Sequence, residues 1–84
     1  MILKFSSNYC QPCKLLSATL KKIGLEVEEV DIDEKSELVA KYNVRGVPTM
    51  VYLHDDLVFG TLVGNKSEKD IVSWVEQCKV DSQV

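Results

Sequence analysis

At 84 residues the chain has room for one domain with a modest core. A hydrophobic share of 45% excludes a disordered segment, and no apolar run approaches the roughly 20 residues that a bilayer crossing requires. The formal net charge of −3, with Lys and Arg scattered singly, argues against nucleic acid as a ligand, because neutralising phosphates takes a clustered basic face.

Residues 1–6 alternate loosely and are rich in apolar groups, as a central strand would be. The opening Met1-Ile2-Leu3-Lys4-Phe5 lacks a basic region, an apolar core and a cleavage site, so it reads as a strand and not as a signal peptide. A reducing, cytoplasmic setting is the expectation. Three cysteines, an odd number with two close together, do not resemble the disulfide framework of a secreted domain. From Gln11 to Ile23 the spacing becomes helical, with Leu15, Leu16, Thr19, Leu20 and Ile23 on one face and Lys14, Lys21 and Lys22 largely off it. Gly24 is a helix stop. Residues 25–32 form a second strand-prone run.

Asp33 is a plausible N-cap for a short helix carrying Leu38, Val39 and Tyr42. Residues 43–48 form a loop. Thr49–His54 and Leu57–Val63 flank Asp55-Asp56, which predicts a hairpin. Gly64-Asn65-Lys66 is a turn, Ser67 caps a last helix, and Ile71, Trp74, Val75 and Cys78 recur on it at intervals of three and four. Residues 79–84 read as a polar, frayed tail, which leaves a domain over 1–78. The order β-α-β-α-β-β-α predicts a three-layer α/β/α sandwich on a four-stranded mixed sheet, its first two strands parallel and joined by a right-handed crossover.

The chemistry lies in Cys10-Gln11-Pro12-Cys13, where the first strand gives way to the first helix. Free backbone N–H groups and the positive end of the helix dipole stabilise an anion there, so a thiolate at Cys10 is favoured. Pro12 suits the first helical turn. Cys13, one turn along, is placed to resolve a mixed disulfide formed at Cys10. The competing reading is half a zinc site, which would have to recruit Cys78 and His54 from distant segments.

At these residues the sequence resembles the thioredoxin family. Tyr9-Cys10-Gln11-Pro12-Cys13-Lys14 aligns with the family's Trp-Cys-Gly-Pro-Cys-Lys, followed at the expected distance by Asp31-Ile32-Asp33, by Tyr42 through Thr49, and by Val63-Gly64. The resemblance runs from Ile2 to about Cys78 and is that of a minimal, glutaredoxin-sized member without the family's usual additional opening strand and helix. It implies a cis bond between Val47 and Pro48. It also implies a substrate surface made of Tyr9, Gln11, Pro12, the backbone of Val47, Pro48 and Gly64. The implied activity is reduction of protein disulfides by a monomer that needs no cofactor or metal beyond its Cys10–Cys13 disulfide. Clients would be disulfide-forming proteins such as ribonucleotide reductase, and thioredoxin reductase or glutathione would supply electrons.

Departures from the family pattern carry their own expectations. Gln11 replaces a glycine at a position that influences redox potential, and Ser6 replaces a tryptophan. Lys4 occupies the place of a buried aspartate, and Glu29 that of the lysine accompanying it. The two charges are therefore expected to pair beneath Cys13 and to relay protons to or from it. Cys78 and Trp74 read as core, and His54 carries no assigned role. Lys14 either favours the thiolate, steers acidic partners or is a solvated helix charge, while the acidic stretch 26–37 reads as a solvated face. Two other functions compete: a glutathione-dependent, glutaredoxin-like reductase, and a binding subunit of a larger enzyme that needs no redox change.

Overall fold

The computed structural model describes residues 1–83. Seven elements follow the expected order: β1 (Ile2–Ser6), α1 (Gln11–Ile23), β2 (Glu28–Asp31), α2 (Ser36–Lys41), β3 (Thr49–His54), β4 (Leu57–Val63) and α3 (Glu68–Ser82). The strands form one sheet in the order β2-β1-β3-β4. β1 and β2 run parallel, whereas β3 is antiparallel to both β1 and β4. The hairpin turns at Asp55 and Asp56, whose φ angles of 52° and 65° are the left-handed pair that a two-residue hairpin loop demands.

Strand alternation sorts the core into two layers. On one face Ile2 and Met50 pack with Leu16 and Leu20 of α1 and with Ile71 and Val75 of α3. On the other, Leu3, Phe5, Val30, Val51 and Leu53 are covered by Leu38 and Val39 of α2 and by Tyr42, Val44 and Val47 beyond it. Period-two alternation along β1 therefore sets Lys4 and Ser6 on the α1 side with Ile2. That choice decides what Lys4 can meet.

Several local expectations are corrected. The second strand is shorter than residues 25–32 and begins only at Glu28. Asp33 does not cap α2: Lys35 holds the cap position without a side-chain bond, and Asp33 is drawn into a turn where its N–H donates to the Asp31 carboxylate at 2.8 Å. An Asx turn of this kind competes with helix initiation for the same backbone groups. Leu15 is 52% exposed, so the buried stripe of α1 is narrower than the apolar spacing implies and runs through Cys13, Leu16 and Leu20. Helix α3 continues to Ser82, so the stretch read as a frayed tail is helical for most of its length.

Candidate active site

Cys10 is the N-cap of α1, with extended backbone angles, and Pro12 sits in the first turn as expected. Cys10 and Cys13 are joined in a disulfide, their Cα atoms 5.2 Å apart. The backbone N–H of Cys13 donates to Cys10 Sγ at 3.1 Å, so a first-turn donor of the helix is spent on that sulfur. The two residues differ in exposure, Cys10 at 9% and Cys13 at 3%. Around this opening Tyr9, Gln11 and Pro12 are exposed. Cys10 is thus the better placed of the two to meet a partner from solvent.

The second wall is the loop entering β3. The Val47–Pro48 bond is cis and Pro48 is fully buried. Thr49 Oγ1 donates to the Gly46 carbonyl at 2.7 Å, tying the loop together. Phe5 pairs with Thr49 across the sheet, which brings the loop to the end of β1 that leads into the cysteines. The third wall follows β4: the Gly64 N–H donates to the Pro48 carbonyl at 2.8 Å, and its φ of +92° is open to glycine and strained for other residues. Nothing stands within 4 Å of where a Gly64 Cβ would lie, which leaves a shallow floor beside the proline. Val63, next to it, is 60% exposed. Thus Tyr9, Gln11, Pro12, Val47, Pro48 and Gly64 lie on three segments that meet at one end of the sheet.

Lys4 and Glu29 are directly opposite each other in the parallel register of β1 and β2. Lys4 Nζ donates to both Glu29 carboxylate oxygens, at 3.0 and 3.3 Å, and to Ser17 Oγ on α1. Ser6 Oγ donates to the same carboxylate at 3.3 Å. The partners are unequally buried, with 2% of the Lys4 side chain exposed and 55% of Glu29. Ser17 was not singled out by the sequence reading. Its signal was present, for it stands four residues after Cys13 on the same stripe of α1 and faces the strand that carries Lys4.

The remaining candidates lie elsewhere. Cys78 is buried against β4, its Sγ 3.7 Å from the Phe59 carbonyl, and burial followed by the nearby Asp81 carboxylate pushes its thiol pKa up. Trp74 is half-buried and edge-on to Tyr52, with its indole N–H unpaired. His54 ends β3 away from the dithiol, beside Asp55. No group of three or more His, Cys, Asp or Glu among the described residues could hold a metal ion, and none of their helices is long and apolar enough to cross a membrane.

A four-stranded sheet between helical layers, with a paired Cys-x-x-Cys at the tip of the helix after its first central strand, defines a dithiol domain of thioredoxin type. The thioredoxin family model matches residues 1–77, and the chain belongs to that family. It is similar to Thioredoxin H5 of Oryza sativa subsp. japonica, at 33% identity over 81% of this chain and 54% of the rice protein. Thioredoxin of Rhodospirillum rubrum is 30% identical over 86% of this chain and 75% of its own length. The thioredoxin structure from Trypanosoma brucei brucei superposes with a TM-score of 0.82 over 94% of this chain and 74% of that one, and at 23% identity it attests the fold. The chain thus spans about half of the rice relative and about three-quarters of the other two.

Proposed function

We propose that the chain is a thiol–disulfide oxidoreductase that reduces disulfides of other proteins. The observation that carries this is the Cys10–Cys13 pair at the tip of α1, with the Cys13 N–H directed at the sulfur of the more exposed Cys10. In the reduced chain Cys10 Sγ is the thiolate, stabilised by that N–H and the helix dipole. It attacks one sulfur of the client disulfide, forming a Cys10–client bond and releasing the first client thiolate, which takes a proton from solvent. Cys13, deprotonated, then attacks Cys10 Sγ and expels the second client thiolate. Two electrons have passed to the client, and the Cys10–Cys13 disulfide is restored. A reductase or a small dithiol donor reverses these steps to recharge the chain.

Tyr9, Val47, Pro48 and Gly64 provide the apolar surface and backbone groups against which an extended client segment would lie, with Gln11 and Pro12 on the facing rim. Lys4 and Glu29 act on Cys13 from behind. Ser17, one helical turn from Cys13, is bound to the Lys4 ammonium, and Glu29 carries the same network to solvent. In this reading the network takes the proton that leaves Cys13 and passes it to solvent at Glu29.

Insulin reduction tests the assignment. Turnover supported by thioredoxin reductase is expected, and turnover supported only by glutathione would move the chain to the glutaredoxin-like reading. Full biological activity of a Cys10→Ser, Cys13→Ser double variant would instead make it a binding subunit. A reduction potential near roughly −270 mV marks a reductant, and one near roughly −120 mV an oxidant.

A further inference from the structure

We infer that the cationic rim beside the dithiol selects acidic polypeptide, so that the preferred client carries Asp or Glu next to its reducible disulfide. The proposal rests on the exchange chemistry above and adds which partners it favours. Although the chain is acidic overall, the three segments that wall the site (Ser6–Lys14, Asn43–Thr49 and Val63–Ser67) hold none of its thirteen acids and three of its ten cations: Lys14, Arg45 and Lys66. All three are exposed. Lys14 follows Cys13, Arg45 precedes the cis-proline by three residues, and Lys66 lies two beyond Gly64, whose N–H is bonded to Pro48. The same three segments carry the exposed Tyr9 and Val63 and the half-buried Val47, so apolar and cationic side chains share this end of the sheet.

Of the acids near this end of the sheet, Glu68 follows Ser67 and is paired with Lys22 at 3.0 Å, while three others lie on the opposite flank. Asp31, Asp33 and Glu34 belong to the edge strand β2 and its turn, which joins β1 through the Ile32 N–H and the Ser6 carbonyl at 3.0 Å. An acidic segment is therefore drawn over β3 and β4 and repelled from β2. A basic segment meets the reverse. Attraction on one side and repulsion on the other is how an interface discriminates partners, and rim charges act mainly on encounter rates and their salt dependence.

The test uses the pre-reduced full chain in single-turnover exchange with two disulfide peptides that differ only in flanking residues, acidic in one and basic in the other. The acidic peptide should react about tenfold faster at low salt, the gap closing as added salt screens the rim. Arg45→Glu with Lys66→Glu should invert the preference, and Arg45→Gln with Lys66→Gln should flatten it. Equal rates for the two peptides, a faster basic peptide, or a rate with glutathione disulfide that tracks the variants as strongly as the acidic peptide would overturn the proposal. Neutral hydroxyethyl disulfide separates the two levels. If the wild-type chain fails to reduce it, the exchange reading itself fails. If it is reduced while both peptides react alike, only the rim selectivity is lost.

Discussion

Replacing either member of the Lys4–Glu29 pair should give unequal costs, because the two are unequally buried. With 2% of its side chain exposed, Lys4 has no water to return to, and its ammonium depends on Ser17 and the Glu29 carboxylate. Breaking a fully buried ion pair from one side costs about 3–5 kcal/mol, because a charge is left desolvated. Glu29 is 55% exposed, so solvent already screens part of the attraction, and we expect about 2 kcal/mol for Glu29→Ala. Lys4→Met removes the buried charge and keeps the volume. Glu29 then turns to water, and stability should change by less than about 1 kcal/mol in either direction. The double variant should resemble Lys4→Met alone, which makes the coupling about as large as the cost of Glu29→Ala. Urea unfolding of the oxidised protein at constant m-value reads these differences, and Glu29→Ala should lower Tm by about 8–16 °C in a domain of this size. If Glu29→Ala costs no more than Lys4→Met, or if the two losses add to within about 0.5 kcal/mol, the buried-cation argument is wrong.

Four further outcomes follow from the same geometry. Cys13→Ser should accumulate a Cys10–client mixed disulfide detectable by mass, whereas Cys10→Ser should accumulate none; trapping by Cys10→Ser would reverse the assigned roles. A Cβ at Gly60 would stand 2.5 Å from Cys78 Sγ and 2.9 Å from Trp74 Nε1, so Gly60→Ala should destabilise by about 1–3 kcal/mol, with part of the loss recovered in a Cys78→Ala background. Because burial and Asp81 raise the Cys78 thiol pKa in the folded chain, the unfolded chain releases this proton first as pH rises; stability should fall through the alkaline thiol range, and Cys78→Ala should remove that part of the slope. Ser67 Oγ accepts from the Asp70 N–H at 3.2 Å, so Ser67→Ala should cost about 1 kcal/mol in thermal melts.

What could be read from the sequence is what local periodicity and special residues encode. The helix over Gln11–Ile23, the hairpin at Asp55-Asp56 and the cap at Ser67 each rest on side chains acting within a few residues of themselves, and each is found at the expected position. The dithiol belongs to the same class, since a helical turn alone brings Cys13 back to Cys10. Asp33 does not cap because the chain first closes a turn, with the Glu34 and Lys35 N–H groups on the Asp31 carbonyl, and α2 begins only at Ser36; spacing alone does not reveal that delay. Leu15 is exposed because the width of a buried stripe is set by how far neighbouring elements reach, and the core that meets α1 takes in Leu16 and Leu20. The facing of Lys4 and Glu29 was anticipated from strand adjacency. Ser17 was not, because its contact arises only when α1 crosses over β1.

The divergence of this chain from its relatives then has a physical reading. The exchange geometry is made largely from backbone: the Cys13 N–H on a sulfur, the Gly64 N–H on the Pro48 carbonyl, and the peptide groups on either side of the cis bond. Backbone groups survive substitution, so the frame tolerates Gln11 and Ser6 in the motif's neighbourhood so long as the turn and the helix start are kept. A buried charge allows no such freedom. Once Lys4 stands on β1, the opposite position on β2 must supply a carboxylate, and α1 a hydroxyl, or the strand centre loses about as much free energy as a core cavity. The exposed rim obeys neither constraint, and Arg45 and Lys66 can change sign without disturbing the fold. Among the described residues Arg45 and Lys66 make no side-chain bond to the core or to the dithiol, so a substitution there should alter which client is chosen without moving Tm.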